Sequence, residues 1–481
     1  DHFGSVKNNI KKLKEQLWKA EMESVRSGSY EEAARIKSEL SVLYEKEEKM
    51  WQQRSRIQWL QSGDKNTKFF HGTATQRKRK NFIKGLKDDE GVWHEEENQV
   101  SGLLIEYYSQ LFSTSHPHDF DRILDGVDTI VTEEMRVELV RPYTSDEVDA
   151  AIKEMAPLKA PGPDGMPPLF YQTYWSDVGV DVHQAVLSSL NSGSILKSIN
   201  HTFITLIPKV NNPEKVSNFR PISLCNVIYK IISKVIANRL KPLLNSIISE
   251  TQSAFTADRL ITDNILIAFE SLHHMKTNCT GRKGFMALKL DMSKAYDRVE
   301  WVFLEKILLK MGFQDSWVAL IMECIRTVTY SILVNGEPKG LITPSRGLRQ
   351  GDPLSPFLFL FCAEGLNAIF KRAALDGEIE GFSLCRNGPK LTHLFFADDC
   401  LIFCRSTLEE CLKIQSLLDI YEVASGQMIN KEKTTLFFSG NTNTQMQDAI
   451  KVALNVPANT TKNIWGFHPL LAGKRRLVLL R

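Results

Sequence analysis

A chain of 481 residues, 43% hydrophobic, with 60 basic and 57 acidic side chains, can bury a large core and divide into more than one structural unit. A net charge of +3 permits a polyanionic partner without demanding one, and the ordinary glycine and proline content, with no fixed repeat, excludes solenoid and fibrous architectures. The longest apolar runs, 353–362 and 391–396, are too short to span a bilayer, so no membrane partner is expected.

The eight cysteines include no Cys-x-x-Cys pair and mostly sit in apolar sequence, which argues against zinc and disulfide frameworks and for a reducing, intracellular setting. The chain opens on Asp1 with a charged segment and no secretory core, and is expected to be a fragment.

In chain order, residues 6–57 are rich in Lys, Glu, Leu and Ala and predict two or three amphipathic helices broken at Ser27-Gly28-Ser29. Trp59 to His71 and the basic run Arg77, Lys78, Arg79 and Lys80 follow. Cations beside aromatics suit nucleic acid, and a charged turn before a strand-like 82–86 is the equally weighted alternative. Residues 117–125 look like a linker. Thr144 and Glu147 form a capping box for a helix running towards Met155, and the Lys159 to Gly165 stretch, with two prolines and two glycines, must leave that helix as a loop.

Residues 285–291 alternate as a strand. Met286, Leu288 and Leu290 share one face, and Ala287, Lys289 and Asp291 the other, so Asp291 ends a buried strand on its polar side. The following helix is expected from Trp301 to a stop at Gly312. Residues 391–404 are two apolar runs around Asp398 and Asp399, a hairpin with acids at its turn. An Asp-Asp pair in a turn is, by itself, more often structural. In a buried hairpin, however, two adjacent anions need something to neutralise them, and a divalent cation would do so.

Phe396-Ala397-Asp398-Asp399 resembles the signature of reverse transcriptases, as do the Asp291 to Asp297 block and Gly347-Leu-Arg-Gln-Gly-Asp-Pro-Leu-Ser-Pro356. Phe203 to Lys209, Asn218 to Leu224 and Tyr229 to Arg239 resemble the fingers of the same enzymes, and all blocks stand in the family's order. The Lys159 to Gly165 and Trp59 to His71 stretches are similar to the extension and linker of plant LINE-type, non-LTR retrotransposon polyproteins.

The resemblance implies an α+β right-hand polymerase with fingers, an antiparallel palm sheet and a shortened thumb. A helical, basic linker region would occupy 1–116 and the reverse transcriptase domain 142–481, with fingers and palm at about 200–470. The partners it implies are an RNA template, a DNA primer and deoxynucleotides, without the endonuclease and C-terminal tail of the parent polyprotein. The cofactor would be two Mg2+ ions, with Mn2+ as a substitute, held by Asp291, Asp398 and Asp399.

Lys209 and Arg220 would reach the triphosphate. Tyr296 would exclude a ribose 2′-hydroxyl, and Gln350 and Gly351 would contact the nucleotide and its template pair. Lys433, next to Lys431, is the candidate general acid for the departing pyrophosphate, and Arg259 joins Arg77 to Lys80 as a nucleic-acid contact. Ser355 is expected to cap, and Pro356 to open, a long apolar helix through Ala374.

Three places depart from the family pattern. Thr256-Ala257-Asp258 stands where Pro-Gly usually precedes the arginine, Ile464 to Pro469 replaces a Tyr-Leu-Gly block, and the chain stops soon after Lys474 to Arg476, which predicts poor processivity. The alternatives are a truncated, inactive relic that only binds nucleic acid, and a magnesium nuclease or RNA-templated RNA polymerase, against which Tyr296 and Ala397 argue. Work on a chromosomal primer implies the nucleus.

Overall fold

The computed structural model describes residues 6–27, 29–55, 67–277, 283–385 and 388–456. Their contacts divide the chain into two units, Asp1–Glu95 with Ile207–Phe219, and Glu96–Leu206 with Arg220–Arg481. The first break falls at Glu95–Glu96, earlier than the expected end of the linker region at 116. Among the described residues no helix is long and apolar enough to cross a membrane.

In the first unit, helices Val6–Ser27 and Glu31–Ser55 pair through Ile10, Ile36 and Leu40, with Lys37 bonded to Glu21 at 2.8 Å between them. Helix Thr67–Asn81 follows, then the short hairpin of β1 (Leu86–Lys87) and β2 (Trp93–His94). The expected strand over 82–86 shrinks to its last residue; Phe82 stays half exposed, while Ile83 and Leu86 are buried. The backbone of Lys87 ties to Glu214 at 2.7 Å, which brings the 207–219 segment into this unit.

The second unit is α+β and holds two four-stranded sheets. One is mixed, in the order β4–β3–β6–β7, from β3 (His201–Pro208), β4 (Phe219–Cys225), β6 (Thr329–Val334) and β7 (Glu337–Ile342), with β3 parallel to β6. The other is antiparallel, in the order β10–β5–β9–β8, from β5 (Phe285–Asp291), β8 (His393–Phe396), β9 (Asp399–Arg405) and β10 (Thr435–Phe438). The alternation read for 285–291 holds. Met286, Leu288 and Leu290 face the main core with helices Trp301–Met311 and Ser355–Leu375, whereas Ala287 joins Leu401, Phe403 and Ala268 of helix Ile261–Thr277 in a second cluster. The sheet is therefore covered on both faces, and its polar residues collect at the strand ends.

Gly312 ends its helix as expected, at φ 95. The capping box at Thr144 also forms, the Glu147 carboxylate accepting the Thr144 backbone N–H at 3.0 Å, and the same carboxylate takes two bonds from the buried Arg239. Two expectations fail. Residues 117–125 are no linker, because helix Asp121–Leu124 sends Ile123, fully buried, into the main core. Ser355 is the first helical residue rather than the cap, and Asp352 Oδ1 instead takes the N–H of Leu354 at 2.9 Å.

At the start of β8, His393 lies 2.9 Å from Asn367 Oδ1, and Asn367 also bonds Glu364. Burial pushes the His393 imidazole down to about 4 from 6.5. Between those values the unfolded chain takes up a proton that the folded core refuses, so stability should fall as pH drops through this window. Thermal melts of the parent and His393→Gln check this: the variant should lose less, and equal slopes would remove the assignment. Burial also raises Glu364, whose contribution has the opposite sign and is common to both proteins.

Candidate active site

Asp291 closes β5 and Asp399 opens β9, and the two are register partners across the antiparallel pair. Asp398 is the next residue back, in the two-residue turn between Phe396 and Asp399, which are also partners. Ala397, the first turn residue, is left-handed at φ 53, and its N–H is held by Gln252 Oε1 at 3.0 Å. One sheet edge thus gathers acids that lie far apart in the chain.

Burial pushes the Asp398 carboxyl above its ordinary value, the charges of Asp399 and Asp291 add to that, and Arg220 offsets part of it. The other two acids have lysine neighbours, Lys433 Nζ at 3.4 Å from Asp291 and Lys289 Nζ at 3.3 Å from Asp399. Among the described residues no three acid, histidine or cysteine side chains close on one point. The donor set is nonetheless hard, anionic oxygen that crowds like charges, the chemistry that suits magnesium and manganese.

Two loops brace this edge. After Asp291 the chain turns through a left-handed Lys294 into the short helix Ala295–Arg298, where Tyr296 stacks on Phe359 with ring centroids 5.0 Å apart. Burial, then the charge of Asp398, keeps the Tyr296 hydroxyl protonated. The 347–351 loop runs along this helix through Leu348 N–H to Tyr296 O at 2.7 Å and Gly347 N–H to Val299 O at 2.8 Å. Gly347, at φ 97, has the Asp297 carbonyl 2.8 Å from where a Cβ would stand, so only glycine fits. Gln350 donates to Asp297 Oδ1 at 2.9 Å, and its carbonyl accepts the Ser223 N–H of β4 at 2.9 Å, placing it and Gly351 between the turn and β4.

The loop is pinned from beneath by Arg349, which is buried, pairs with buried Asp352 at 3.0 Å, donates to Cys324 O at 2.8 Å and to Asn200, and lies over the Tyr229 ring. The second brace is 425–433. Helix Leu408–Ser425 ends at Gly426, φ 74, and the chain then runs back along the Asp291 strand through Ser293 N–H to Met428 O and Asn430 N–H to Asp291 O. That return carries Lys433 to Asp291.

The structure therefore brings together Asp291, Asp398, Asp399, Arg220, Tyr296, Gln350, Gly351 and Lys433. Lys209 belongs to the first unit, where its N–H bonds Asn218 O at 2.8 Å, and so do Arg77 to Lys80, exposed on the last turn of helix Thr67–Asn81. Arg259 points elsewhere than expected: its guanidinium donates to the carbonyls of Asn245, Ile248, Ser249 and Gln252 and closes that turn. Asp258 before it is left-handed at φ 62, the conformation a glycine would take there. The Trp59 to Asn66 stretch, the Gly28 break, Ile464 to Pro469 and Lys474 to Arg476 lie outside the described residues. Sequence reasoning missed Gln252 and Arg349. The first sits in a stretch without periodicity, and the second was legible only as an arginine inside a loop motif.

Acids at paired strand ends of one antiparallel sheet, with an arginine beside them, are the donor set of a phosphoryl-transfer enzyme. Residues 207–463, more than half of the chain, match the family described as reverse transcriptase (RNA-dependent DNA polymerase), and the chain belongs to that family. It is 27% identical over 389 residues to an uncharacterized 149 kDa protein of transposon TX1 from Xenopus laevis, covering 80% of this chain and 29% of that protein. It is 26% identical over 290 residues to the Pol polyprotein of the type-2 retrotransposable element R2DM of Drosophila melanogaster, covering 60% of this chain and 26% of the relative. Over 67 residues it is 54% identical to an uncharacterized mitochondrial protein of Arabidopsis thaliana, covering 14% of this chain and 55% of that protein. The chain thus spans well under two thirds of each of these relatives.

Proposed function

We propose that the chain is the RNA-directed DNA polymerase of a non-LTR retrotransposon, extending a DNA primer with deoxynucleotides on an RNA template. The observation that carries this reading is the end of the sheet where Asp291 faces Asp399 and Asp398, in the adjoining turn, carries a raised carboxyl. Within that reading the β10–β5–β9–β8 sheet is the palm of a right-hand polymerase, and the mixed sheet with its helices belongs to the fingers. A plant source for the element is compatible with the match to the Arabidopsis protein.

In the reaction the primer 3′-oxygen forms a bond to the α-phosphorus of the nucleotide, the α–β phosphoanhydride bond breaks, and pyrophosphate leaves. Two magnesium ions, or manganese in their place, would supply the positive charge on the attacking and leaving oxygens. Asp291, Asp398 and Asp399 are the residues to hold them. Arg220, exposed on β4 beside Asp398, suits the triphosphate because its planar fork donates two parallel bonds. Lys433, 3.4 Å from Asp291, would give its proton to the pyrophosphate. Arg77, Lys78, Arg79 and Lys80 are exposed cations suited to phosphate contacts.

Tyr296 gives the sugar preference. Its ring is held flat on Phe359, so it cannot swing away from a 2′-hydroxyl. Tyr296→Val should raise ribonucleotide use relative to deoxynucleotide use by about a hundredfold, the scale on which pockets reject one extra group. Competition between the two nucleotides in single-nucleotide extension measures it, and equal use by the parent itself would turn the assignment towards an RNA polymerase. The test of the function as a whole is magnesium-dependent extension of a DNA primer on RNA. Binding of the primer–template without extension would favour the inactive relic.

A further inference from the structure

Gln252 is completely buried beside the turn that carries Asp398. Its Oε1 accepts two backbone N–H groups, from Ala254 and from Ala397, each at 3.0 Å. Its Nε2 has no hydrogen-bond partner among the described residues. An unpaired buried amide donor is unfavourable, and an apolar side chain of the same length would avoid it, so stability alone does not account for a glutamine here. The side chain is kept for its oxygen.

That oxygen holds the N–H of Ala397, the residue at φ 53 immediately before Asp398. Left-handed backbone is unfavourable for alanine and persists where its surroundings impose it. The neighbouring bonds make Gln252 a fixed point. Gln252 makes an isolated parallel bridge to Phe395 of β8, with Phe395 N–H on Thr251 O at 2.8 Å and Ser253 N–H on Phe395 O at 3.2 Å. Arg259 bonds the Gln252 carbonyl at 2.7 Å, and Asn264 Nδ2 bonds Phe395 O at 2.9 Å. The arginine expected at nucleic acid thus serves the same anchor.

We propose that Gln252 is a positioning residue: its amide oxygen imposes the left-handed turn at Ala397 and so aims Asp398 at the reacting phosphate. The inference rests on the polymerase reading above. It touches no substrate and acts only through the turn.

The test uses the full chain and compares Gln252→Met, which fills the space without a strong acceptor, with Asn264→Leu, which cuts a bond to the same strand but not to the turn. Amide hydrogen exchange at Ala397 should quicken about tenfold or more in Gln252→Met, since its N–H loses its partner. Primer extension should show kcat down about a hundredfold, the scale of a 1 Å misplacement, with the KM for deoxynucleotide within about twofold. Ala397→Gly added to Gln252→Met should recover about tenfold, because glycine takes positive φ without strain. Unchanged exchange at Ala397 in Gln252→Met overturns the proposal. So does an equal loss of kcat in Asn264→Leu at matched melting temperature. If the parent itself extends no primer, the polymerase reading fails; if the parent extends and Gln252→Met matches it, only the positioning role fails.

Discussion

Asp398→Ala should abolish primer extension while leaving the fold and primer–template binding intact. The Asp398 carboxyl is raised, first by burial and then by the charges of Asp399 and Asp291. Removing it relieves that crowding, so stability should hold or rise slightly. The chemical step, in contrast, loses a ligand to charge stabilisation worth several kcal/mol. At about 1.4 kcal/mol per factor of ten, the rate should fall by at least about a thousandfold. Single-turnover extension on an RNA template, with melting curves of both proteins, checks the two halves together. A variant retaining a tenth of the parental rate would remove Asp398 from the centre of the site. Asp399→Ala should cost less, because the Asp399 carboxylate already has Lys289 at 3.3 Å as a partner.

The second large effect is on stability. Arg349→Met should lower the unfolding free energy by about 3–5 kcal/mol, because it leaves Asp352 buried without its partner. Both side chains are almost completely enclosed, and the guanidinium also satisfies the carbonyl of Cys324 and the amide oxygen of Asn200 over the Tyr229 ring. Arg349→Met combined with Asp352→Leu should recover part of the loss, since the orphaned charge goes with its partner. Denaturant unfolding of the single and double variants gives the coupling directly. Additive losses, with no recovery in the double variant, would show that the pair is not the unit holding the loop. Because Gln350 and Gly351 follow directly, Arg349→Met should also raise the KM for deoxynucleotide.

Much of the site was legible in the chain because its signals are local. Alternating apolar residues ending in Asp291, two apolar runs around Asp398-Asp399, and a proline–glycine loop ahead of an apolar helix each report local backbone preference. The observed β5, the β8–β9 hairpin and helices Trp301–Met311 and Ser355–Leu375 follow those signals closely. Family resemblance added the order of the blocks and the roles.

Tertiary structure decided the rest. The pairing of Asp291 with Asp399 is a matter of register between strands distant in sequence, which no local rule sets. Residues 117–125 read as a linker because they are polar and hold a proline, yet the burial of Ile123 outweighs that composition. Arg259 read as a nucleic-acid contact from its place in the family pattern, whereas the carbonyls of Asn245, Ile248, Ser249 and Gln252 claim its guanidinium. Gln252 carries no pattern at all. Its meaning arises only where β8 lies beside it and the N–H of Ala397 needs an acceptor, because a hydrogen bond between distant residues is created by packing and not by sequence spacing.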